Sequence, residues 1–409
     1  MRFEEYAIAP EIKQNLEKAG FKRPTDIQFK TIPPILKGED VLAIAQTGTG
    51  KTAAFVIPVL NMLYNKKKNK RGNAISCLVM VPTHELALQI TGVFNDLGKH
   101  TKIKAYGIIG GVDQGPQINQ LEKGFDILIA TPGRLFDLVS QGHLKLQRIE
   151  ILILDEADHM LDLGFINDIR DLMKFLPKKR QTLFFSATIN KKIKKLAYSL
   201  VKDAIRIQIS PKDPVAKNVE HAVAHINMED KRFFLERLIK DNTDQKFLVF
   251  VRTKVRAERV FKAMQRVNIQ SETIHGNLSH KERTETLEKY KQGIVKILIA
   301  TDVSARGIDI PDVNFVINYD LPDQEEIYVH RVGRTGRGTK KGLAISFCSD
   351  EEKEILLDIE EYLNKPIEEL NISKTDYRET LESSNNKQDD WKTLLKEDQE
   401  QIKKKKKKR

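Results

Sequence analysis

Ten short apolar runs, falling into two sets of five and separated by segments of helical period, constrain this 409-residue chain more than any other feature. The first set reads VLAIA (Val41 to Ala45), CLVMV (Cys77 to Val81), DILIA (Asp126 to Ala130), ILIL (Ile151 to Leu154) and TLFFS (Thr182 to Ser186). The second reads FLVFV (Phe247 to Val251), ETI (Glu272 to Ile274), KILIA (Lys296 to Ala300), NFVIN (Asn314 to Asn318) and LAISF (Leu343 to Phe347). Strands that are apolar on both faces belong to sheets covered on both sides, and intervening helices supply the crossovers that parallel pairing requires. The pattern predicts an α/β protein of two tandem parallel sheets with helices on both faces. The length exceeds one ordinary core, and 40% hydrophobic residues suffice for two.

The segment ISPKDPVAKN (Ile209 to Asn218) carries two prolines and neither period. A linker is therefore expected at residues 209–217, between domains at 1–208 and 218–370. From residue 371 the text turns polar, holds the sole tryptophan (Trp391) and ends in QIKKKKKKR, so residues 371–409 read as a polar, basic tail without packed structure.

A net charge of +12 suits a polyanionic partner, but much of it is local, in the terminal lysines and in NKKKNKRGN (Asn65 to Asn73). Charge alone leaves nucleic-acid binding and simple solubilisation equally open. The two cysteines, Cys77 and Cys348, sit far apart in apolar runs, which argues against a disulfide framework or a zinc site. The N-terminus MRFEEYAIAPEIKQ has no apolar leader core, and no run approaches the ~18 apolar residues of a membrane span. The expectation is a cytoplasmic monomer with no membrane partner.

Polar residues cluster just after the strands, where open α/β sheets bind ligands. After Ala45 comes the loop AQTGTGKT and then an apolar helix. Gly48 and Gly50 let backbone amides turn in on phosphate oxygens, helped by the helix N-terminus. Lys51 then reaches the β and γ phosphates and the Thr52 hydroxyl suits Mg²⁺, while Ala45 replaces the first glycine of the common pattern. The run ILILDEAD delivers Asp155 and Glu156 at a strand end: one carboxylate for Mg²⁺, the other to orient or deprotonate the attacking water. Acids there also suit a helix N-cap, a role open to Asp155; the pairing with the Lys51 loop favours chemistry.

With AQTGTGKT, DEAD, SAT and HRVGRTGR in this order, the chain from about Phe3 to Ser349 closely resembles the DEAD-box family of ATP-dependent RNA helicases. The resemblance implies two RecA-like domains facing across a cleft, ATP with Mg²⁺, and RNA bound through its backbone. It implies a nucleotide loop of Gln46, Thr47, Gly48, Thr49, Gly50, Lys51 and Thr52. GFKRPTDIQ would be the adenine motif, with Gln28 reading the base edge, Phe21 and Thr25 shaping the pocket and Phe3 packing the base. Ser186 and Thr188 would couple the ATP site to RNA through Asp158. RNA contacts would come from Pro82, Thr83, Gly111, Thr131 and Arg134, and from Arg252, Thr253, Gly276 and Thr301. Asp309 would touch the ribose and Gly307 would lie near the γ-phosphate. Arg334 and Arg337 would be arginine fingers, with His330 and Arg331 linking the domains.

Three positions depart from the family pattern: His84 and His280, which would weaken RNA contacts or interdomain coupling, and His159, read as harmless at a solvent-facing site. The terminal lysines would tether RNA, with a salt slope of about −0.7 per phosphate contact. The resemblance favours RNA-stimulated ATP hydrolysis with local unwinding of short duplexes. Two rivals stand beside it, an ATP-gated RNA clamp with little unwinding and a DNA-dependent remodelling ATPase.

Overall fold

The computed structural model describes residues 2–46, 48–69, 75–209, 215, 218–302, 313–336 and 341–385. The first sheet contains β1 (Val41–Ala45), β2 (Cys77–Met80), β3 (Ala105–Ile108), β4 (Ile127–Ala130), β5 (Ile151–Leu154), β6 (Gln181–Ser186) and β7 (Ile205–Ile209). Its order is β3-β4-β2-β5-β6-β1-β7, with every neighbour parallel. The second contains β8 (Val219–His225), β9 (Phe247–Val251), β10 (Glu272–Ile274), β11 (Ile297–Thr301), β12 (Phe315–Asn318), β13 (Gly342–Cys348) and β14 (Glu368–Glu369), in the order β10-β11-β9-β12-β13-β8-β14, again parallel.

Strand pleating divides each domain's core in two. Val41, Ala43 and Ala45 enter one apolar cluster, while Leu42 and Ile44 enter the cluster on the opposite face. In the second domain Leu248 and Phe250 pack on one side, and Phe247, Val249 and Val251 on the other. Both faces are covered, which is why these strands carry no polar alternation.

Each sheet has seven strands where five apolar runs stood out. The added β7 (IRIQI), at a sheet edge, buries only Ile207, and β8 (VEHAVAH) mixes charged and apolar positions. β3 contains a glycine and β14 spans two residues. None of them forms a continuous apolar run, because none needs both faces buried along its length.

The packed chain also continues past the expected tail boundary at 371. Residues Lys374–Asn385 form a helix against the helix Lys231–Asp241. Tyr377 meets Phe234 with ring centroids 4.8 Å apart, its hydroxyl donates to Asp230 Oδ2 at 2.7 Å, and Arg237 donates to Thr380 Oγ1 at 2.5 Å. A polar segment with one well-placed tyrosine docks without looking hydrophobic. Of the expected linker, Ile209 ends β7 and Val215 is buried in the second core; the other linker residues and the lysine-rich end, 386–409, lie outside the described residues. No helix among the described residues is long and apolar enough to cross a membrane.

Candidate active site

The loop after β1 leads into the helix Lys51–Asn69. Gly48 and Gly50 adopt positive φ (80° and 91°), a region where side chains are strained. At Gly50 an added Cβ would also lie 2.5 Å from Gln28 Nε2. Gln28 is 2% exposed and splints two elements: its Nε2 donates to the Gly50 carbonyl at 3.1 Å, and its Oε1 accepts from Thr25 N at 3.0 Å. One N–H and one lone pair remain for a base edge. Phe3 and Phe21 meet edge to face at 5.9 Å and line a cavity of about 610 Å³ with Leu16, Gly20 and Lys22. Buried Lys51 curls back to donate to the Ala45 carbonyl at 2.7 Å, and Thr49 Oγ1 donates to Gln46 O at 2.7 Å.

Asp155 sits at the end of β5, 2% exposed, with Oδ1 accepting from Glu156 N at 3.0 Å. Burial pushes its carboxyl up to about 7, opposed by Lys51 and reinforced by Glu156 and Asp158. A buried carboxylate so costly to ionise fits a divalent cation, whose charge restores the anion. Among the described residues no group of three or more His, Cys, Asp or Glu could hold a metal.

Glu156 takes the left-handed conformation (φ 50°, ψ 49°) as it enters the helix Ala157–Asp162. Burial would raise its carboxyl, but a hydrogen bond and charge from His159, then Lys51 and Arg334, hold it down to about 2. The second domain's Arg334 is thus one of the charges that hold the Glu156 carboxyl below the ordinary range. Arg334 is 6% exposed, on the turn that follows the helix Glu325–Val332.

Asp158 Oδ2 accepts from Ala187 N (3.1 Å), Thr188 N (3.0 Å) and Thr188 Oγ1 (3.2 Å), which joins the DEAD segment to the end of β6. Ser186 is fully buried, and its Oγ has no hydrogen-bond partner among the described residues.

Arg331, expected to link the domains, is 1% exposed and grips Asp302 of its own domain, Nε to Oδ1 at 2.5 Å and Nη2 to Oδ2 at 2.7 Å, while Nη1 donates to Asp320 O at 2.7 Å. The helix ends at Val332, and Gly333 turns the chain before Arg334. His159 is not solvent-facing: it is 4% exposed, with Nδ1 3.5 Å from Glu156 Oε2. One helical turn separates the two residues, which brings the imidazole back beneath the carboxylate.

The expected RNA contacts gather at strand ends. Thr83 after β2 and Thr253 after β9 cap the helices that follow, accepting from Leu86 N (3.3 Å) and Arg256 N (3.1 Å). Pro82 precedes the first cap, Thr131 follows β4, Thr301 ends β11 and Gly276 follows β10. Gly111 has φ 69°, and a Cβ added there would lie 3.5 Å from the His84 ring. Arg134 Nη2 donates to Val112 O at 2.7 Å. Arg252 is occupied within its domain, by Leu321 O (3.1 Å), Asp323 (3.2 Å) and Glu352 (3.4 Å). Thr47, Gly307, Asp309, Arg337 and the His280 side chain lie outside the described residues.

One interdomain contact left no mark in the text. Arg283, on the helix His280–Lys291, pairs with Glu85, on the helix His84–Leu97, at 2.6 Å, with side chains only 18% and 17% exposed. Arginine and glutamate on polar helices read as solvated until the domains meet. Because the pair exists only when they do, Arg283→Ala should weaken the mutual enhancement of ATP and RNA binding about 5- to 20-fold, with little effect on ATP affinity measured alone. Titrating ATP affinity with and without saturating RNA measures it; equal enhancement in both proteins would make the pair incidental.

Residues 25–196 match the DEAD/DEAH box helicase family, and residues 230–339 match the helicase conserved C-terminal domain. The chain is 40% identical to the ATP-dependent RNA helicase RhlB of Shewanella sp. (strain MR-4), over 91% of this chain and 86% of that one. Among solved structures it resembles S. cerevisiae Dbp5 bound to RNA and ADP BeF3 (TM-score 0.83, 31% identity, 94% of this chain and 99% of that one). A DEAD box protein from the hyperthermophile Methanococcus jannaschii is 37% identical over 91% of this chain and 99% of that one, yet superposes with a TM-score of only 0.52. This chain belongs to the DEAD-box family of ATP-dependent RNA helicases.

Proposed function

We propose that RNA closes the two domains, that closure completes the ATP site, and that the closed cleft unwinds short duplexes locally. The observation that carries this is the contact between the two domains, Arg283 of the second against Glu85 of the first at 2.6 Å, with Arg334 6% exposed on the turn after its helix. Lys51 and the amides around Gly48 and Gly50 hold the phosphates, and Gln28 and Phe21 hold the adenine. Thr52 and Asp155 would hold Mg²⁺, which when bound neutralises charge on the phosphate oxygens. Glu156 orients the attacking water and accepts its proton, while Arg334 balances the charge that develops on the γ-phosphate.

RNA contacts from Pro82, Thr83, Gly111, Thr131, Arg134, Thr253, Gly276 and Thr301 are to backbone oxygens and carry no sequence preference. Arg252, tied to Asp323 and Glu352, supports the strand-end loop in preference to reaching RNA itself. Thr47, Gly307, Asp309 and Arg337 complete the site by their positions in the motifs. A cleft that holds a bent single strand excludes a regular duplex, so closure separates a few base pairs without long translocation.

Steady-state ATP hydrolysis by the full-length protein, alone, with single-stranded RNA and with DNA of matching sequence, tests the reading. Strong stimulation by RNA alone is expected. Equal stimulation by DNA would replace it with a DNA-dependent ATPase, and RNA-stimulated hydrolysis without strand separation would make the protein an RNA clamp.

A further inference from the structure

We propose that the exposed face of the helix Lys191–Leu200 is a second RNA-binding surface, outside the cleft, on which Lys191, Lys194 and Lys195 hold backbone phosphates and Tyr198 stacks on a base. The proposal rests on RNA being the partner of the cleft, and it adds a surface that the cleft does not contain.

The helix reads KKIKKLAYSL and joins β6 to β7 across β1. Ile193, Leu196 and Ala197 are buried in the apolar cluster that also takes Leu42 and Ile44 of β1 and Phe184 of β6. With ~3.6 residues per turn, Lys191, Lys194, Lys195 and Tyr198 fall on the opposite face, as neighbours three or four positions apart. All four are exposed, the tyrosine by 53%. A large aromatic ring left in water among ammonium groups fits a single nucleic-acid strand, whose phosphates take the charge and whose bases take the ring face.

This face is built against the helix's own local preferences. Lysines one turn apart repel each other. Lys191 and Lys192 stand in the first turn, where the helix dipole disfavours cations, and no acidic residue offsets them there. Elsewhere exposed lysines sit three residues from a carboxylate: Lys174 meets Asp171 at 2.6 Å, Lys291 meets Glu288 at 3.6 Å and Lys353 meets Asp350 at 2.8 Å. Among the described residues no carboxylate pairs with Lys191, Lys192, Lys194 or Lys195. Asn190 holds the helix start instead, accepting from Lys192 N at 3.1 Å and Ile193 N at 3.0 Å. A polyanion lying along the face relieves the repulsion that the fold leaves uncompensated. The surface is also separate from the first domain's expected cleft contacts, which follow β2, β3 and β4. In the order β3-β4-β2-β5-β6-β1-β7, β6 and β1 lie two to five strands away, roughly 10–25 Å at the usual strand spacing. An RNA must extend beyond the cleft to reach it, so its effect depends on RNA length.

The test is binding of labelled oligouridine by the full-length protein, followed by fluorescence anisotropy from low to high salt, with strands of about 30 and about 8 nucleotides. The triple variant Lys191→Gln, Lys194→Gln, Lys195→Gln should bind the long strand about tenfold more weakly at low salt, with a salt slope shallower by about 2, from ~0.7 per lost phosphate contact. Tyr198→Ala should weaken the long strand about fivefold and leave the slope unchanged. Both variants should bind the short strand as the wild type does and hydrolyse ATP at the wild-type rate when it saturates. The terminal lysines are common to every protein compared, so they do not contribute to the differences. Photocrosslinking with 4-thiouridine RNA gives an independent reading: the peptide bearing Tyr198 should be labelled by the long strand and not by the short one. Unchanged long-strand affinity and slope, or crosslinks that never reach this helix, overturn the proposal, even if the same face captures an acidic protein. Equal weakening of the short strand overturns it too, by placing these residues in the cleft. If neither strand stimulates hydrolysis by the wild type, the cleft reading fails, and loss of long-strand binding in the variants still upholds this face.

Discussion

Arg334→Ala should lower RNA-stimulated kcat by about 10³-fold or more, equivalent to at least ~4 kcal/mol of transition-state stabilisation. The expectation follows from where the guanidinium sits. It comes from the second domain, is 6% exposed, and lies close enough to Glu156 to stabilise the carboxylate. In so dry a site a fixed positive charge acts on the developing phosphate charge with little screening. It is absent from the site whenever the domains part, so its loss should collapse the RNA-stimulated rate onto the unstimulated one. ATP affinity should change little, because Lys51 and the loop amides belong to the first domain. Arg334→Lys should recover little activity, since an ammonium lacks the planar fork. Single-turnover hydrolysis with and without RNA decides the matter, and a variant still stimulated more than tenfold would remove Arg334 from the chemistry.

Glu352→Ala should destabilise the second domain by about 3–5 kcal/mol, the usual consequence of stripping the partner from a buried charge. Glu352 is 1% exposed and answers five donors from four residues. Its Oε2 receives the Lys231 ammonium, Ser349 N at 3.1 Å and Ser349 Oγ at 3.0 Å, and its Oε1 receives Leu321 N at 3.0 Å and Arg252 at 3.4 Å. Lys231, fully buried, would be left among the described residues with the Tyr319 carbonyl at 2.8 Å as its hydrogen-bond partner and the more distant charge of Asp320. Burial would raise the Glu352 carboxyl, but Lys231 and the two amides hold it below the ordinary value. A depressed folded value stabilises the fold above the unfolded carboxyl's pKa of about 4.3, and that contribution is lost as pH falls through the folded value. Chemical denaturation of the isolated variant, followed by its lower midpoint, checks the prediction. Replacing both partners by apolar residues of similar volume should cost much less, because no charge is then stranded.

Both predictions concern residues whose surroundings were unreadable along the chain to different degrees. Arg334 stood out as an arginine between glycines in HRVGRTGR, and the motif order named its partner phosphate. Lys231 and Glu352 looked like any pair of charged residues on helix starts. They lie far apart in sequence and meet because the segment after β13 folds back over the helix that follows β8. Arg283 and Glu85 escaped notice for the same reason, and across two domains.

The sequence by itself determined the strands buried on both faces, the position of the nucleotide loop, and the carboxylate pair at the end of β5. Each of these is local: a run of aliphatic residues, a Gly-Lys-Thr turn and two acids after a strand carry their geometry within a few residues. Tertiary structure alone decided which charges face each other. It turned Arg331 inward onto Asp302, and it gave the edge strand β7 and its counterpart β8, between β13 and β14, their places by pairing in place of hydrophobic pattern. It also buried His159 against Glu156. A side chain's exposure depends on what arrives from the rest of the fold, and the same histidine on a polar helix reads as solvated until a sheet and a second helix close over it.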